Sequence, residues 1–273
     1  MSMLLRSMAQ QNFDIKTDDE FTHAIDKLKW VMACLRDPKR GCPWDKEQDF
    51  KSIVKYTIEE AYEVADAIEQ DDMNELKEEL GDLLLQVIYY TQMSSEDNLF
   101  NFDDVAKGVA DKMISRHPHV FGDVDANNAD DVVDIWEQQK DKEKNSDGAL
   151  DGVTKGLPAL LRAHKLQKKA AKVNYEWPTA DGAFTKLEEE IAEFKEALSE
   201  DDAAHQEEEF GDLLFCLVNF GRMKGLNAEE ALRKANKKFI KRFEGMEADC
   251  TQNGLDFKSL SLEEKLSLWQ KQK

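Results

Sequence analysis

The sequence lacks what would place it in a membrane. No apolar run approaches the roughly 20 residues that a spanning helix needs, and the stretch from Met1 to Phe13 carries one Arg and a short apolar patch without a signal-peptide core. Paired cysteines are also missing. Cys34, Cys42, Cys216 and Cys250 are scattered and form no CxxC motif, so they read as reduced thiols of a cytoplasmic protein, with zinc disfavoured. Positive charge is scarce: 37 Lys and Arg stand against 57 Asp and Glu, a formal net charge of −20. A surface of that sign repels nucleic acid and anionic membranes, whose binding relies on Lys and Arg, and neither is expected as a partner. A small phosphorylated ligand stays open if metal ions mediate the contact. Glycine and proline are sparse, and no run alternates as a β-strand would, so little interrupts helix.

What is present is helical periodicity along nearly the whole chain, which predicts an all-α fold. Helices are expected near 18–36, 50–70, 72–94, 102–116 and 128–143, and again near 157–172, 181–199, 201–224, 227–249 and 261–271. Over 141–156 the sequence turns polar and contains glycine, and its apolar stripe is lost. We take it as a linker between helical domains at 20–140 and 157–273, behind a tail at 1–19.

The two halves repeat each other. Glu59-Glu60-Ala61-Tyr62-Glu63 opens a block that continues to Glu79-Leu80-Gly81-Asp82, and Glu189-Glu190-Ile191-Ala192-Glu193 opens another that continues to Glu209-Phe210-Gly211-Asp212. Glu60 and Glu190, Glu63 and Glu193, Glu79 and Glu209, and Asp82 and Asp212 each stand 130 positions apart; Lys112 and Arg116 stand 126 before Lys238 and Arg242. The pattern is an internal duplication of a four-helix unit.

In so acidic a chain a single EExxE means little, because glutamates on helices mostly form solvated faces. Position distinguishes these. Val54, Ile58, Ala61, Ala65 and Ile68 form an apolar stripe expected to face the core, and Glu60 borders it on the flank that carries Ile53 and Val64. In the next helix Leu76, Leu80, Leu83 and Val87 make the stripe beside Glu79 and Asp82. The segments from Leu83 to Ile88 and from Leu213 to Val218 are apolar almost all round, which points to burial. The short connection from Gln70 to Asp72 makes the two helices antiparallel neighbours, so their carboxylates can face each other. Two like charges about 4 Å apart repel by roughly 4 kcal/mol at an effective dielectric near 20. Four such acids stay together only by taking up protons or binding cations. Hard oxygen ligands without cysteine or suitable histidine favour Mg²⁺, with Mn²⁺ as a substitute. A di-iron bundle would want two Glu-x-x-His elements, and only Glu20-Phe21-Thr22-His23 occurs.

At these residues the sequence resembles the MazG family of nucleoside triphosphate pyrophosphohydrolases in its two-domain bacterial form. Around the twice-present EExxE…ExxD stand Gly41-Cys42-Pro43-Trp44, Arg116-His117-Pro118-His119 and Lys234-Ala235-Asn236-Lys237-Lys238. The resemblance implies tandem duplicated four-helix MazG-like units in a dimeric helical assembly, and cleavage of nucleoside triphosphates between the α- and β-phosphates. It implies Mg²⁺ held by Glu190, Glu193, Glu209 and Asp212, with Glu60, Glu63, Glu79 and Asp82 as counterparts. It places Lys186, Lys234, Asn236, Lys238, Arg242 and Trp269 against the nucleotide. Glu189 or Glu190 would be the base for an attacking water, with Lys238 and Arg242 stabilising the leaving pyrophosphate.

The chain departs from the family pattern in two places. His205-Gln206 stands where relatives often carry a Lys, and Asn174-Tyr175-Glu176-Trp177 replaces the more usual Gly-Phe-Asp-Trp. The first half has Ala110-Asp111-Lys112 where the second has Asn236-Lys237-Lys238, so hydrolysis is expected in the second half. The alternative for the first half is a non-catalytic regulatory or partner-binding module. Trp44 and Trp177 are open between stacking on a base and ordinary packing. His117 and His119, flanking Pro118, read as a helix terminus. Arg162, Lys165, Gln167, Lys168 and Lys169 form a basic patch that is either helix surface or a further hold on phosphates.

Overall fold

The structure is a computed structural model that describes residues 13–143 and 148–273. Most of the tail expected at 1–19, and residues 144–147 of the expected linker, lie outside the described residues. Among the described residues every regular element is helical, and no helix is long and apolar enough to cross a membrane. The chain divides into two compact units, Met1–Glu143 and Lys144–Lys273.

The first unit contains α1 (Ala24–Leu35), α2 (Pro43–Glu47), α3 (Val54–Glu69), α4 (Met73–Glu96), α5 (Phe102–Arg116), α6 (Pro118–Phe121) and α7 (Ala129–Glu143). The second contains α8 (Ala159–Lys172), α9 (Ala180–Ala197), α10 (Ala203–Met223), α11 (Ala228–Gln252) and α12 (Leu262–Lys271). In the first unit α4 packs on α1, α3 and α5; in the second α10 packs on α8, α9 and α11. The duplicated four-helix unit is therefore α1, α3, α4 and α5, answered by α8, α9, α10 and α11.

Local chemistry explains the turns. Asp72 caps α4 by accepting from the backbone N–H groups of Asn74 and Glu75, and Asp202, 130 positions on, caps α10 through Ala204 and His205. Each cap fixes a tight hairpin between the two acid-bearing helices. The repeat breaks at the fourth helix. Proline at position 118 cannot continue α5, which stops at Arg116, whereas α11 runs on to Gln252. The expected first helix begins at Ala24, with only a 3₁₀ turn over Asp18–Glu20.

The core of the first unit is Met32, Ile53, Ile88, Tyr89 and Met93. It is locked at one end by the Tyr89 hydroxyl, which donates to the Asp45 carbonyl at 2.9 Å, and by an Arg36–Glu96 ion pair at 2.8 Å. The second unit buries Ala183, Leu187, Ala197, Val218, Met246 and Cys250.

One expectation is corrected. The stripe Val54, Ile58, Ala61, Ala65 and Ile68 does not face the core: Ile58 is 51% exposed, and Val54, Ala61 and Ile68 are exposed too. The face of α3 turned inward carries Ile53, Glu60, Val64 and Ala67, one position round the helix. Its periodicity is interrupted by Glu60, so hydrophobicity alone selects the uninterrupted neighbour. The stripe of α4 and the apolar segments after Asp82 and Asp212 are likewise only partly covered, with Leu80, Leu84, Val87, Leu214, Phe215 and Leu217 exposed.

Candidate active site

Glu190 stands on the buried face of α9, in line with Ala183, Leu187 and Ala197, and is only 6% exposed. The same face of α3 holds Glu60. A carboxylate in a core position needs a partner, and both helices meet theirs on the next helix of the hairpin.

In the first unit one carboxylate oxygen from each of Glu60, Glu79 and Asp82 lies within 4.8 Å of the others. Glu63 falls outside that trio but borders it, within hydrogen-bonding reach of Glu60. Gln86, one turn beyond Asp82, points its amide at Glu60 at 3.4 Å. Among the described residues no Lys, Arg or His is paired with these acids. Burial, then Asp82 and Glu63, push the Glu60 pKa above the ordinary carboxylate value, and burial, then Glu63 and Asp82, do the same to Glu79. The expected mutual repulsion is present and is relieved by holding protons more tightly.

In the second unit the trio is Glu190, Glu193 and Glu209, again within 4.8 Å. Asp212 stands outside it and is exposed. Here a cation sits among the acids. The Lys186 ammonium lies 2.8 Å from Glu189, 2.9 Å from Glu190 and 3.8 Å from Glu193. Its hydrogen bonds to Glu189 and Glu190 hold its pKa well above the ordinary lysine value. His205 adds a second contact, 2.8 Å from Glu200 and 3.3 Å from Glu209, and its pKa is raised chiefly by the bond to Glu200. The position where relatives often carry Lys is thus filled by another basic side chain. Cys216, at the place of Gln86, has its thiol pushed up to about 11 by burial and the neighbouring Glu190 charge.

These contacts change one inference from the sequence. Protons and divalent ions are not the only ways to keep the acids together, because the second unit supplies its own ammonium. The equivalent of Lys186, 130 positions earlier, is Tyr56, and the equivalent of His205 is Glu75.

Of the remaining expected residues, Lys234 pairs with Glu230 on its own helix face, and Asn236 and Lys238 are exposed on α11. Arg242 lies over the ring of Trp269 at 5.5 Å, which also packs on Phe239 at 5.3 Å, so α12 brings Trp269 onto α11. The first unit repeats this stack: Arg116 lies over Trp136 at 5.2 Å. Trp136 was not picked out from the sequence; an aromatic following the fourth helix in both halves was the available signal. Trp177 packs beside Gly182 at the start of α9, and Trp44 meets Tyr56 edge-on at 6.1 Å, so both serve packing while staying partly exposed. His117 ends α5, with Nδ1 2.6 Å from the Met113 carbonyl. In the basic patch Gln167 is buried and donates to the Phe215 carbonyl at 2.8 Å, which makes it a brace between α8 and α10.

The converging atoms of both trios are all carboxylate oxygens, a donor set suited to hard divalent cations. Comparison with known proteins agrees with the geometry. The family model described as the MazG nucleotide pyrophosphohydrolase domain matches residues 48–121 and 180–246, one segment in each unit. A nucleoside triphosphate pyrophosphohydrolase of Escherichia coli strain K12 is 45% identical over 256 residues, spanning 91% of this chain and 97% of the relative. A Thermotoga maritima protein named nucleoside triphosphate pyrophosphohydrolase/pyrophosphatase MazG is 40% identical over 249 residues, spanning 91% of this chain and 95% of its own. The match to a Bacillus subtilis protein, YabN, is 42% identical and covers 95% of this chain but 53% of that longer one. With a carboxylate trio in each unit and both units matched, the chain belongs to the MazG nucleotide pyrophosphohydrolase family.

Proposed function

We propose that the protein hydrolyses nucleoside triphosphates to the monophosphate and pyrophosphate, with Mg²⁺ or Mn²⁺ held by Glu190, Glu193, Glu209 and Asp212 of the second unit. The observation that carries this reading is the trio of carboxylates on α9 and α10 with one member in the core. Such a site suits a small anionic substrate that arrives with metal, and a chain of net charge −20 offers few other ways to hold a triphosphate.

A divalent cation there supplies charge neutralisation and lowers the pKa of water. The chain's own groups do the rest. Glu189, outside the trio and 55% exposed at its side chain, would take the proton of the attacking water from beside Lys186, while Glu190 would be a ligand. Lys186 lies within reach of Glu189, Glu190 and Glu193, and so stands where a triphosphate oxygen would approach. Lys234, Lys238 and Arg242 follow one another at i, i+4 on α11 and stabilise charge on the leaving pyrophosphate. Asn236 and Trp269 contact the nucleoside. Glu60, Glu63, Glu79 and Asp82 form a second metal site in a first unit that regulates or assembles more than it turns over substrate. The functional units are 20–140 and 157–273, joined by 141–156.

A homodimer covers the exposed apolar faces. Val54 and Phe184, Leu80 and Phe210, Leu84 and Leu214, and Val87 and Leu217 are equivalent pairs, each 130 positions apart and each exposed. Apolar surface repeated in this way marks an interaction face. The reading places the protein in the cytoplasm, apart from membranes and nucleic acids.

Incubation with Mg²⁺ and a panel of ribo- and deoxyribonucleoside triphosphates tests the activity. Stoichiometric pyrophosphate and monophosphate are expected. Orthophosphate as the primary product would point to a phosphatase, and no product would leave a binding module.

A further inference from the structure

We propose that Lys186 is a resident counter-cation that competes with the divalent metal, so that the second acid cluster takes up metal only together with a triphosphate. The inference rests on the proposed function and adds an order of events to it. Its basis is geometric. The ammonium is within hydrogen-bond distance of Glu189 and Glu190 and within ion-pair distance of Glu193. Glu190 and Glu193 belong to the same trio whose oxygens converge within 4.8 Å. The lysine is held on α9 itself, one turn before Glu190, so it reaches these acids without any rearrangement of the hairpin.

A divalent ion and an ammonium cannot share this space. Both are cations that draw on the same Glu190 and Glu193 oxygens, and at such separations they repel each other. Metal entering alone must displace the ammonium from Glu190 and Glu193, leaving it only the contact with the more exposed Glu189. A triphosphate changes the balance: its oxygens accept the ammonium as the metal takes the acids. Metal and nucleotide each make room for the other, which is positive coupling between two ligands. The first unit provides the contrast, because Tyr56 stands in the equivalent position and, among the described residues, no ammonium pairs with its acids.

Mn²⁺ binding to the full-length protein, followed by the loss of the free-ion electron paramagnetic resonance signal, tests the proposal without turnover. The measurement uses a Glu60→Gln/Glu79→Gln background, so that only the second cluster reports, with and without an α,β-methylene triphosphate analogue that resists cleavage. In that background Mn²⁺ alone is expected to bind weakly, and the analogue to tighten it at least tenfold. Lys186→Met is expected to raise affinity for Mn²⁺ alone at least fivefold and to shrink the effect of the analogue, with Lys186→Gln behaving alike. Lys186→Arg, which keeps the charge, should stay near the parent. Circular dichroism melts of each variant establish that the helices are intact. If the Met and Gln variants bind Mn²⁺ no more tightly than the parent, the competition is overturned while the metal site stands. If no variant binds Mn²⁺ with or without the analogue, the proposed function falls as well.

Discussion

The two acid clusters share their helix positions and differ in how their charge is balanced. Glu60, Glu79 and Asp82 crowd together, with the Gln86 amide donating to Glu60, and burial and their mutual charge raise the pKa values of Glu60 and Glu79. In the second unit Lys186 pairs with Glu190 and Glu193, and His205 with Glu209. The duplication keeps two of the three converging acids, Glu60/Glu190 and Glu79/Glu209, while the third is Asp82 in one unit and Glu193 in the other, and the residues at 56/186 and 75/205 set whether a basic side chain stands beside them. The comparison teaches that one helix hairpin can hold its acids together with or without a basic side chain beside them.

The largest expected effect breaks the symmetry outright. Glu190→Gln should lower kcat by about 10²–10³-fold, the scale of losing a preorganised electrostatic group, whereas Glu60→Gln should leave kcat within about twofold. Pyrophosphate release in steady state measures both, and equal losses would mean that the two halves work as one site. Next come the α11 cations. Lys238→Ala or Arg242→Ala should reduce kcat by roughly 10²-fold, and Lys112→Ala in the first unit should change it by less than about twofold.

A third experiment reads the strain itself. An acid whose folded pKa lies above its unfolded value weakens the fold as pH rises from the unfolded value through the folded one. Glu60 and Glu79 are in this position, with an ordinary value of 4.5. With metal chelated, Glu60→Gln should therefore raise the urea midpoint of the first unit at pH 7.5, by roughly 0.5 M, and the gain should vanish below the ordinary glutamate value, where Glu60 is protonated and as neutral as glutamine. Saturating Mg²⁺ should reverse the ranking. A gain that persists in acid would show that Glu60 is strained by packing and not by charge. The smallest effect concerns the paired stacks. Trp269→Leu should raise KM about threefold to tenfold, while Trp136→Leu should leave KM unchanged and alter only the fluorescence of the first unit.

Much of this was legible in the sequence. Helical periodicity and the offset of 130 gave the all-α duplicated architecture, and the EExxE…ExxD spacing gave the acids that the hairpins bring together. Two things were hidden, both for physical reasons. The inward face of α3 contains Glu60, so a member of the acid trio breaks the very periodicity that would have revealed the face, and the exposed stripe at Ile58 reads better than the true one. The pairing of Lys186 with the acids depends on side-chain conformation one turn along α9, and a lysine near glutamates in so charged a chain carries no signal of its own. Trp136 follows α5 at 20 residues from Arg116, a separation that only the folded α7 closes.

The central claim is that water attacks the α-phosphorus at the second cluster. Hydrolysis in ¹⁸O-labelled water, with Mg²⁺ and mass analysis of both products, tests it most directly. The account predicts label in the nucleoside monophosphate and none in pyrophosphate, with the reaction lost in Glu190→Gln and retained in Glu60→Gln. Label in pyrophosphate or orthophosphate, or a reaction that survives loss of Glu190 and stops with loss of Glu60, would contradict it.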